Sequence, residues 1–363
     1  MRWNSEIFIN GREISIQSSA YFIADIASNH DGSLSLAKEL IQMAKEAGAD
    51  AVKFQHFEAD KIVSDWGFTH LKNQLGHQAA WKKSVYDVFK DCECDRNWTE
   101  ELSETAAKAG IDFMSTPYDY DAVDLLDKFL PAYKIGSGDI TWTQFIEYVS
   151  QKKKPVMLAT GASCMGDVTR AVDSVLKHNK DIVLMQCNTN YTGSLENFKN
   201  INLNVLKNYA TAYPNMVLGL SDHTPGCATV LGAVALGARV IEKHFTHDNN
   251  LPGPDHPFSM NPASWKEMVE RTRELENALG NGIKIIEENE RDTVVVQQRC
   301  IRLCRDMSVG QKISEEDIEF LRPAPRGALR PYESALAVGK TLCCNKEKGS
   351  ALYQSDFVKE IVC

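Results

Sequence analysis

The chain has 363 residues, of which 43% are apolar and 25% charged, and its formal net charge is −9. These proportions are typical of a soluble globular protein. The negative charge argues against nucleic acid as the main partner, because phosphate backbones are bound by basic surfaces. Crossing a membrane takes an apolar run of about 18 residues or more, and no such run occurs, so we expect no membrane span. The ten cysteines are scattered, which favours a reduced, cytoplasmic protein.

Eight short apolar runs follow one another along the chain, and amphipathic stretches separate them. Apolar residues recur with helical spacing in Ser35–Ala47, Asp167–Lys177 and Cys227–Leu236. The predicted strands are Tyr21–Ile26, Ala51–Gln55, Asp112–Thr116, Tyr133–Gly136, Val156–Thr160, Ile182–Cys187, Val217–Leu220 and Arg239–Phe245. Strands that alternate with helices indicate a parallel α/β sheet, and eight such strands close a (β/α)8 TIM barrel.

Three further segments complete the predicted organisation. The gap between the second and third strands is long, so Asp60–Asp95 is predicted to hold an extra loop or helix over the top of the barrel. Pro262–Leu279 is predicted to be a long helix, and the charged, glycine-bearing Gly280–Arg291 a linker. We therefore predict a barrel domain over residues 1–285. Residues 286–363 would hold the linker and a small domain that cannot be catalytic alone.

Polar residues at the ends of the predicted strands favour a barrel over an open, doubly wound sheet. In a barrel, such residues collect around the rim at the C-terminal ends of the strands. An open sheet would concentrate them at one switch point instead. Examples are Asp25 and Asn29, Lys53 and Gln55, Ser115 and Thr116, Lys134 and Ser137, and Asp222 and His223. The sequence therefore predicts an active site at the rim.

Two histidines, His223 and His244, end the seventh and eighth predicted strands. Because neighbouring strands lie about 4.8 Å apart, the two imidazoles could share one divalent ion and leave positions open for water and a substrate oxygen. The alternative is a pair of histidines that have separate hydrogen-bond partners. Asp222 and Glu242 beside them favour the metal site.

Lys53 and Lys134 each interrupt an otherwise apolar strand. A buried lysine is costly unless it is paired. Two lysines at one rim, with the Ser137 hydroxyl and the backbone amides of Gly136 and Gly138, would make a pocket for a phosphate anion. A Schiff-base lysine and a purely structural salt bridge are the alternatives.

Two carboxylates are further candidates. Asp25 ends the first strand, where it could orient a substrate hydroxyl or move a proton. A loop or helix-cap hydrogen bond is an equal alternative for Asp25. The proline-stiffened loop Leu251–His256 brings Asp255 or His256 back over the rim.

Several strings in the chain carry a resemblance to a known family. They are Asn29–His30 with Gly32–Ser33, Ala49–Gln55, Ser115–Pro117, Tyr133–Gly138, Gly219–Thr224, Glu242–Thr246 and Pro252–Asp255. Together they resemble the sialic acid synthases, the phosphoenolpyruvate-dependent nonulosonic acid synthases, over nearly the full length. The tail from about Arg299 is similar to their antifreeze-like (SAF) domain. Asp25 and Asp139 stand where the family usually has glutamate, and Pro252–Asp255 is similar to its sialic and legionaminic branches.

The resemblance implies an enzyme that joins phosphoenolpyruvate to an N-acylmannosamine-type or related 2-acetamido sugar. It also implies Mn²⁺ or another divalent cation on His223 and His244, and a domain-swapped homodimer in which Arg322 reaches the partner's active site. The expected catalytic residues are Asp25, Lys53, Lys134, His223 and His244. The expected substrate-binding residues are Gln55, Thr116, Ser137, Asp139, Tyr191, Ser221, Asp255 and Arg322. The alternative functions are a lysine-imine aldolase and a non-enzymatic sugar-binding protein.

Overall fold

The computed structural model describes residues 2–71, 76–191 and 193–358. The chain divides into two compact units between Gly280 and Asn281, within the segment predicted to be a linker. The first unit contains a sheet of parallel strands surrounded by helices, and the second is a small unit of short strands. None of the described helices has the length and apolar character needed to cross a membrane.

The strands of the described residues are β1 (Glu6–Ile9), β2 (Arg12–Ser15), β3 (Tyr21–Asp25), β4 (Ala51–His56), β5 (Asp112–Pro117), β6 (Tyr133–Ile135), β7 (Val156–Ala159), β8 (Ile182–Cys187), β9 (Val217–Asp222), β10 (Ala238–His244), β11 (Cys300–Leu303) and β12 (Ile318–Leu321). Hydrogen-bonded pairing runs in the order β5, β4, β3, β10, β9, β8, β7, β6, and β5 also lies in contact with β6. Strands that are consecutive in the chain are therefore neighbours, and the first barrel strand, β3, lies beside the last, β10, which closes the ring. The predicted barrel is therefore confirmed.

The helices are α1 (Leu34–Glu46), α2 (Ala59–Ile62), α3 (Asp65–His70), α4 (Val85–Asp91), α5 (Thr99–Ala109), α6 (Tyr120–Leu126), α7 (Thr143–Gln151), α8 (Met165–Leu176), α9 (Val205–Ala212), α10 (Ala228–Ala235), α11 (Pro262–Leu279) and α12 (Arg291–Gln297). Local sequence explains where α1 begins, because the Ser33 side chain accepts a hydrogen bond from the Leu36 amide. The buried face of α1, which includes Leu40 and Ile41, packs on the outside of the barrel. The predicted helix Pro262–Leu279 is confirmed.

The barrel strands are buried on both faces, and alternation along each strand separates two environments. Residues such as Phe22 and Ile241 belong to the outer core beneath the helices. Residues such as Tyr21, Ile23 and Val240 belong to a separate cluster inside the barrel. Nearer the C-terminal ends, polar side chains take over the inner positions. That change from apolar to polar on one face is what places a polar site at the rim.

The N-terminal residues form the β1–β2 hairpin, which is not among the predicted strands. Ile7, Ile9 and Ile14 are fully buried in the cluster inside the barrel. Successive side chains of a strand point to opposite faces, so in Glu6–Ile9 the side chains of Ile7 and Ile9 are buried while those of Glu6 and Phe8 stay exposed.

The segment between β4 and α5 forms the predicted insertion above the strand ends. Its described part contains α2, α3 and α4. Phe57 and Phe89 pack against each other with ring centroids 5.4 Å apart, and Ile62, Trp81 and Val88 line a cavity together with rim residues. The predicted extra structure over residues 60–95 is therefore confirmed for the residues described.

The second unit has its own small core. β11 and β12 pair antiparallel, and Ile301, Leu303, Leu342 and Leu352 are buried together. The unit therefore buries apolar residues independently of the barrel.

Candidate active site

Two adjoining cavities open at the C-terminal ends of the barrel strands. The inner one is a cleft of about 40 Å³, and the outer one has a volume of about 520 Å³. The predicted residues that line the inner cleft are Asp25, Lys53, Gln55, Thr116, Lys134, Ser137, Tyr191, Ser221, His223 and His244. Asp255 lines the outer cavity, where Gln55, Ser137, Tyr191 and His244 also contribute. Most residues singled out from the sequence thus meet in one place.

Both buried lysines of the cleft are paired with carboxylates. The Lys53 Nζ donates to Asp25 Oδ2 at 2.7 Å and to Thr116 Oγ1 at 3.2 Å. The Lys134 Nζ donates to Glu242 Oε1 at 2.8 Å. Glu242 Oε2 lies 3.9 Å from the Lys53 Nζ, so Glu242 stands between the two ammonium groups. The two lysines and two carboxylates together carry no net charge.

Opposite charges nearby keep Lys53 and Glu242 ionised. Burial alone would lower the pKa of Lys53, but Asp25 and Glu242 outweigh it and raise that pKa above the ordinary value. Burial alone would raise the pKa of Glu242, but Lys134 and Lys53 hold it well below its usual range. An imine-forming lysine must be neutral when it attacks a carbonyl. A Lys53 that is held protonated therefore fits anion binding better than imine chemistry.

Glu242 is a site residue that is absent from the predicted substrate-binding set. It also accepts a hydrogen bond from the Ser221 hydroxyl at 2.9 Å, and its Oε2 is buried without a hydrogen-bond partner among the described residues. A glutamate inside an apolar strand was the available signal. Its partner Lys134 is 108 residues away, so the pairing could not be read from local sequence.

The two histidines face each other across the cleft, with ring centroids 5.3 Å apart. His223 Nδ1 lies 2.9 Å from the Asn188 carbonyl oxygen, so Nδ1 carries the hydrogen and donates it. This tautomer leaves the Nε2 lone pair available. Burial and the neighbouring His244 lower the pKa of His223 to about 3, which keeps this imidazole neutral.

The His244 ring, unlike that of His223, lacks a hydrogen-bond partner at Nδ1 among the described residues, although this atom is buried. The nearest carboxylate oxygens, Asp25 Oδ2 and Asp255 Oδ2, are 3.7 and 3.8 Å from its ring nitrogens. The alternative of two separately satisfied histidines therefore does not describe His244. An unpartnered imidazole facing a second neutral imidazole is a donor set that suits a divalent transition-metal ion.

The two candidate carboxylates of the rim are tied to neighbouring loops. Asp25 Oδ1 accepts a hydrogen bond from the Ala27 amide at 3.1 Å, so the loop hydrogen bond considered as an alternative is present beside the Lys53 pair. Asp255 Oδ2 accepts a hydrogen bond from the Ser28 hydroxyl at 2.7 Å. Each carboxylate keeps an edge toward a cavity.

Asp139 does not line either cavity. Asp139 lies just behind Gly136, where its Oδ2 is buried without a hydrogen-bond partner among the described residues. Burial raises the pKa of Asp139 to about 6. Arg322 belongs to the second unit, where it is exposed.

Family models match both units of the chain. The NeuB family model matches residues 40–284, and the SAF domain model matches residues 298–358. The chain belongs to the NeuB family. It is 38% identical over 341 residues to an N,N'-diacetyllegionaminic acid synthase from Legionella pneumophila, covering 92% of this chain and 93% of that protein. It is 32% identical over 342 residues to a pseudaminic acid synthase from Campylobacter jejuni, covering 93% and 96%.

Solved structures agree with this assignment. The crystal structure of an N-acetylneuraminic acid synthetase from Leptospira borgpetersenii superposes with a TM-score of 0.70 and 26% identity, covering 80% of this chain and 95% of that one. The predicted family, the barrel with a SAF domain and the class of carbon–carbon bond-forming transferase are confirmed. Because the relatives of this NeuB-family chain are acid synthases, the aldolase and sugar-binding alternatives are not favoured.

A close backbone approach in the NeuB-family site gives a first prediction. The Gly161 amide donates to Ser137 Oγ at 2.9 Å. A Cβ at Gly161 would lie 2.4 Å from Thr189 Cγ2, 2.8 Å from Ser137 Oγ and 3.1 Å from Cys187 Sγ. Gly161→Ala should therefore displace Ser137 and lower kcat/KM for the anionic substrate by about a hundredfold, the typical cost of a 1 Å misplacement.

Gly166→Ala is the matched control for this substitution, because a Cβ there meets no atom closer than 3.5 Å and Gly166 lines neither cavity. Steady-state kinetics of both variants, with circular dichroism to verify folding, measure the difference. Equal activity in the two variants would show that the Ser137 hydroxyl does not need its present position.

Proposed function

We propose that the protein condenses phosphoenolpyruvate with an open-chain N-acylated amino sugar and releases a nonulosonic acid and phosphate. The observation that carries this proposal is the arrangement of two lysines and two histidines around one cleft, where His223 stays neutral and Lys53 stays charged. The lysines supply charge-assisted donors for a phosphate, and the histidines supply nitrogen donors for a cation. Family membership supports the same reaction.

His223 and His244 would hold Mn²⁺ or another divalent cation. Among the described residues no three His, Cys, Asp or Glu side chains are grouped as a metal site, so the two imidazoles are the donors that we propose. When bound, a cation would supply Lewis-acid polarisation of the sugar aldehyde. The buried, unpartnered His244 Nδ1 supports this assignment.

The side chains around the cleft would position the reacting groups. Lys53 and Lys134 would bind the phosphate, with Thr116 and Ser137 beside it, and so hold the methylene carbon of phosphoenolpyruvate toward the aldehyde carbon. A carbon–carbon bond forms, water adds to the former enol carbon, and the carbon–oxygen bond to phosphate breaks. Asp25 would accept the proton of the water or orient a sugar hydroxyl.

The sugar that we propose is an N-acylmannosamine-type or related 2-acetamido hexose, of the sialic or legionaminic kind. Gln55, Asp255 and Arg322 would contact it, and Tyr191 and Ser221 would complete the substrate-binding set. The outer cavity combines polar groups such as Gln55 and Asp255 with an apolar wall that includes Phe57 and Phe89. Such a wall suits the methyl groups of N-acyl substituents.

We further propose a cytoplasmic, domain-swapped homodimer in which Arg322 serves the partner's site. The SAF domain match supports this proposal through family membership. Light scattering on the purified protein measures the oligomeric state, and a monomer that is fully active would contradict it.

The test of the proposed function is phosphate release from phosphoenolpyruvate across a panel of mono- and diacetamido hexoses. We expect release only when an open-chain amino sugar and a divalent cation are both present, with a stoichiometric nine-carbon acid product detected by mass spectrometry. No release with any sugar of the panel would contradict the proposal. Phosphate release that continues after removal of all metal would contradict only the proposed role of the cation.

A further inference from the structure

A buried charged cluster lies on the outer face of the sheet, directly behind the two histidines. Lys243 and Asp222 are register partners in the β10–β9 pair, and each side chain is 1% exposed. Because side chains alternate along a strand, both point away from the cleft that His223 and His244 line. The proposed reaction does not use this cluster.

The cluster ties together the two chain segments that carry the histidines. The Lys243 Nζ donates to Asp222 Oδ2 at 2.5 Å and to the Thr224 carbonyl oxygen at 2.6 Å. The Thr224 amide and hydroxyl donate to Asp222 Oδ1 at 3.2 and 3.0 Å. The turn that carries His223 is thus bound on both sides to the residue that precedes His244.

A third element holds the same carboxylate. The Thr229 hydroxyl, in the first turn of α10, donates to Asp222 Oδ2 at 2.6 Å. Asp222 therefore connects β9, β10 and α10 at one point.

Stability alone is a poor explanation for this pair. A buried ion pair is often no more stabilising than apolar residues of the same volume, because both charges lose their hydration. What the pair does provide is a fixed arrangement, because the buried ammonium also donates to the Thr224 carbonyl oxygen and the buried carboxylate also accepts from the Thr224 and Thr229 hydroxyls. Metal-binding imidazoles depend on neighbouring groups that fix their orientation.

We propose that Asp222 and Lys243 are a positioning pair that fixes the spacing and orientation of His223 and His244 as ligands of a divalent cation. This rests on the metal role proposed above. Neither side chain lines the cleft, so both act through the histidines rather than on substrate.

The experiment measures Mn²⁺ affinity, by electron paramagnetic resonance of free Mn²⁺, and the thermal midpoint of each metal-free protein. The main variant is Asp222→Asn with Lys243→Met, which removes both charges together and leaves no unpaired buried ion. Thr229→Val removes only the bond from α10. Tyr21→Phe is the control, because it removes another buried hydrogen bond, to Asp112 at 2.5 Å, at the N-terminal end of β3.

We expect the double variant to bind Mn²⁺ about 10- to 100-fold more weakly than the wild type. Thr229→Val should show a smaller loss and Tyr21→Phe none, even where their thermal midpoints fall equally. Wild-type Mn²⁺ affinity in a folded double variant would overturn the positioning role. If the double variant does not fold, unchanged affinity in Thr229→Val overturns it instead. Absence of Mn²⁺ binding by the wild type would overturn the metal proposal itself.

Discussion

Replacing His244 or His223 by alanine is expected to lower kcat by about three orders of magnitude or more, because each variant loses one of two proposed ligands of the catalytic cation. The metal content of each purified variant should fall with its activity. Neither histidine forms a short ion pair, so the barrel should stay folded. Treatment with a chelator should reproduce the loss in the wild type, and Mn²⁺ should restore activity there but not in the variants.

His56→Gln is the matched control for the histidine substitutions. His56 also ends a barrel strand, but its two ring nitrogens lie 2.7 Å from the Ser115 hydroxyl and 2.8 Å from the Thr99 hydroxyl. It therefore has no nitrogen left for a metal, and its loss should affect stability rather than metal content. Full activity of a verified metal-free wild type, or equal metal loss in His56→Gln, would contradict the assignment.

The comparison of these three histidines shows what sequence can and cannot supply. The end of a strand places a side chain at the rim, and this much was predicted for His223 and His244. Whether the ring is already hydrogen-bonded depends on groups from other strands and loops, as with Asn188 beside His223. Period-two alternation assigns a side chain to the inner or outer face, but the register between strands decides its partners.

The same holds for charged residues, because sequence predicts their burial but not their partners. Lys53 was predicted to be buried and to need a partner, yet the identity of that partner, Asp25, depends on the pairing of β3 with β4. The N-terminal hairpin is not among the predicted strands, because its two strands are four residues long and do not alternate with helices. Asp139 was expected to contact substrate but lies behind Gly136, because the chain turns sharply after β6.

The neutral set of two lysines and two carboxylates predicts opposite effects from two neighbouring substitutions. Lys134→Met removes a phosphate-binding cation, and we expect kcat/KM for phosphoenolpyruvate to fall about 100- to 1,000-fold. Glu242→Gln keeps the shape and an acceptor for Lys134 and Ser221 but removes a negative charge between both ammonium groups. Inorganic phosphate should therefore inhibit this variant at least about tenfold more strongly. The free energy of a tenfold change is a fraction of the interaction energy between two unit charges 4 Å apart, which is about 4 kcal/mol at an effective dielectric constant near 20.

The two variants separate a phosphate site from the other interpretations of the lysines. If the Lys134–Glu242 pair were only structural, both substitutions would weaken phosphate binding together with stability. If Lys134 formed an imine, borohydride with pyruvate would label the wild type, and the label would disappear in Lys134→Met. If both lysines face the phosphate, two results are expected together. Phosphate should inhibit Glu242→Gln more strongly, and Lys134→Met should use phosphoenolpyruvate less well. The carboxylate that limits phosphate affinity in the free enzyme would then also allow phosphate to leave after each turnover.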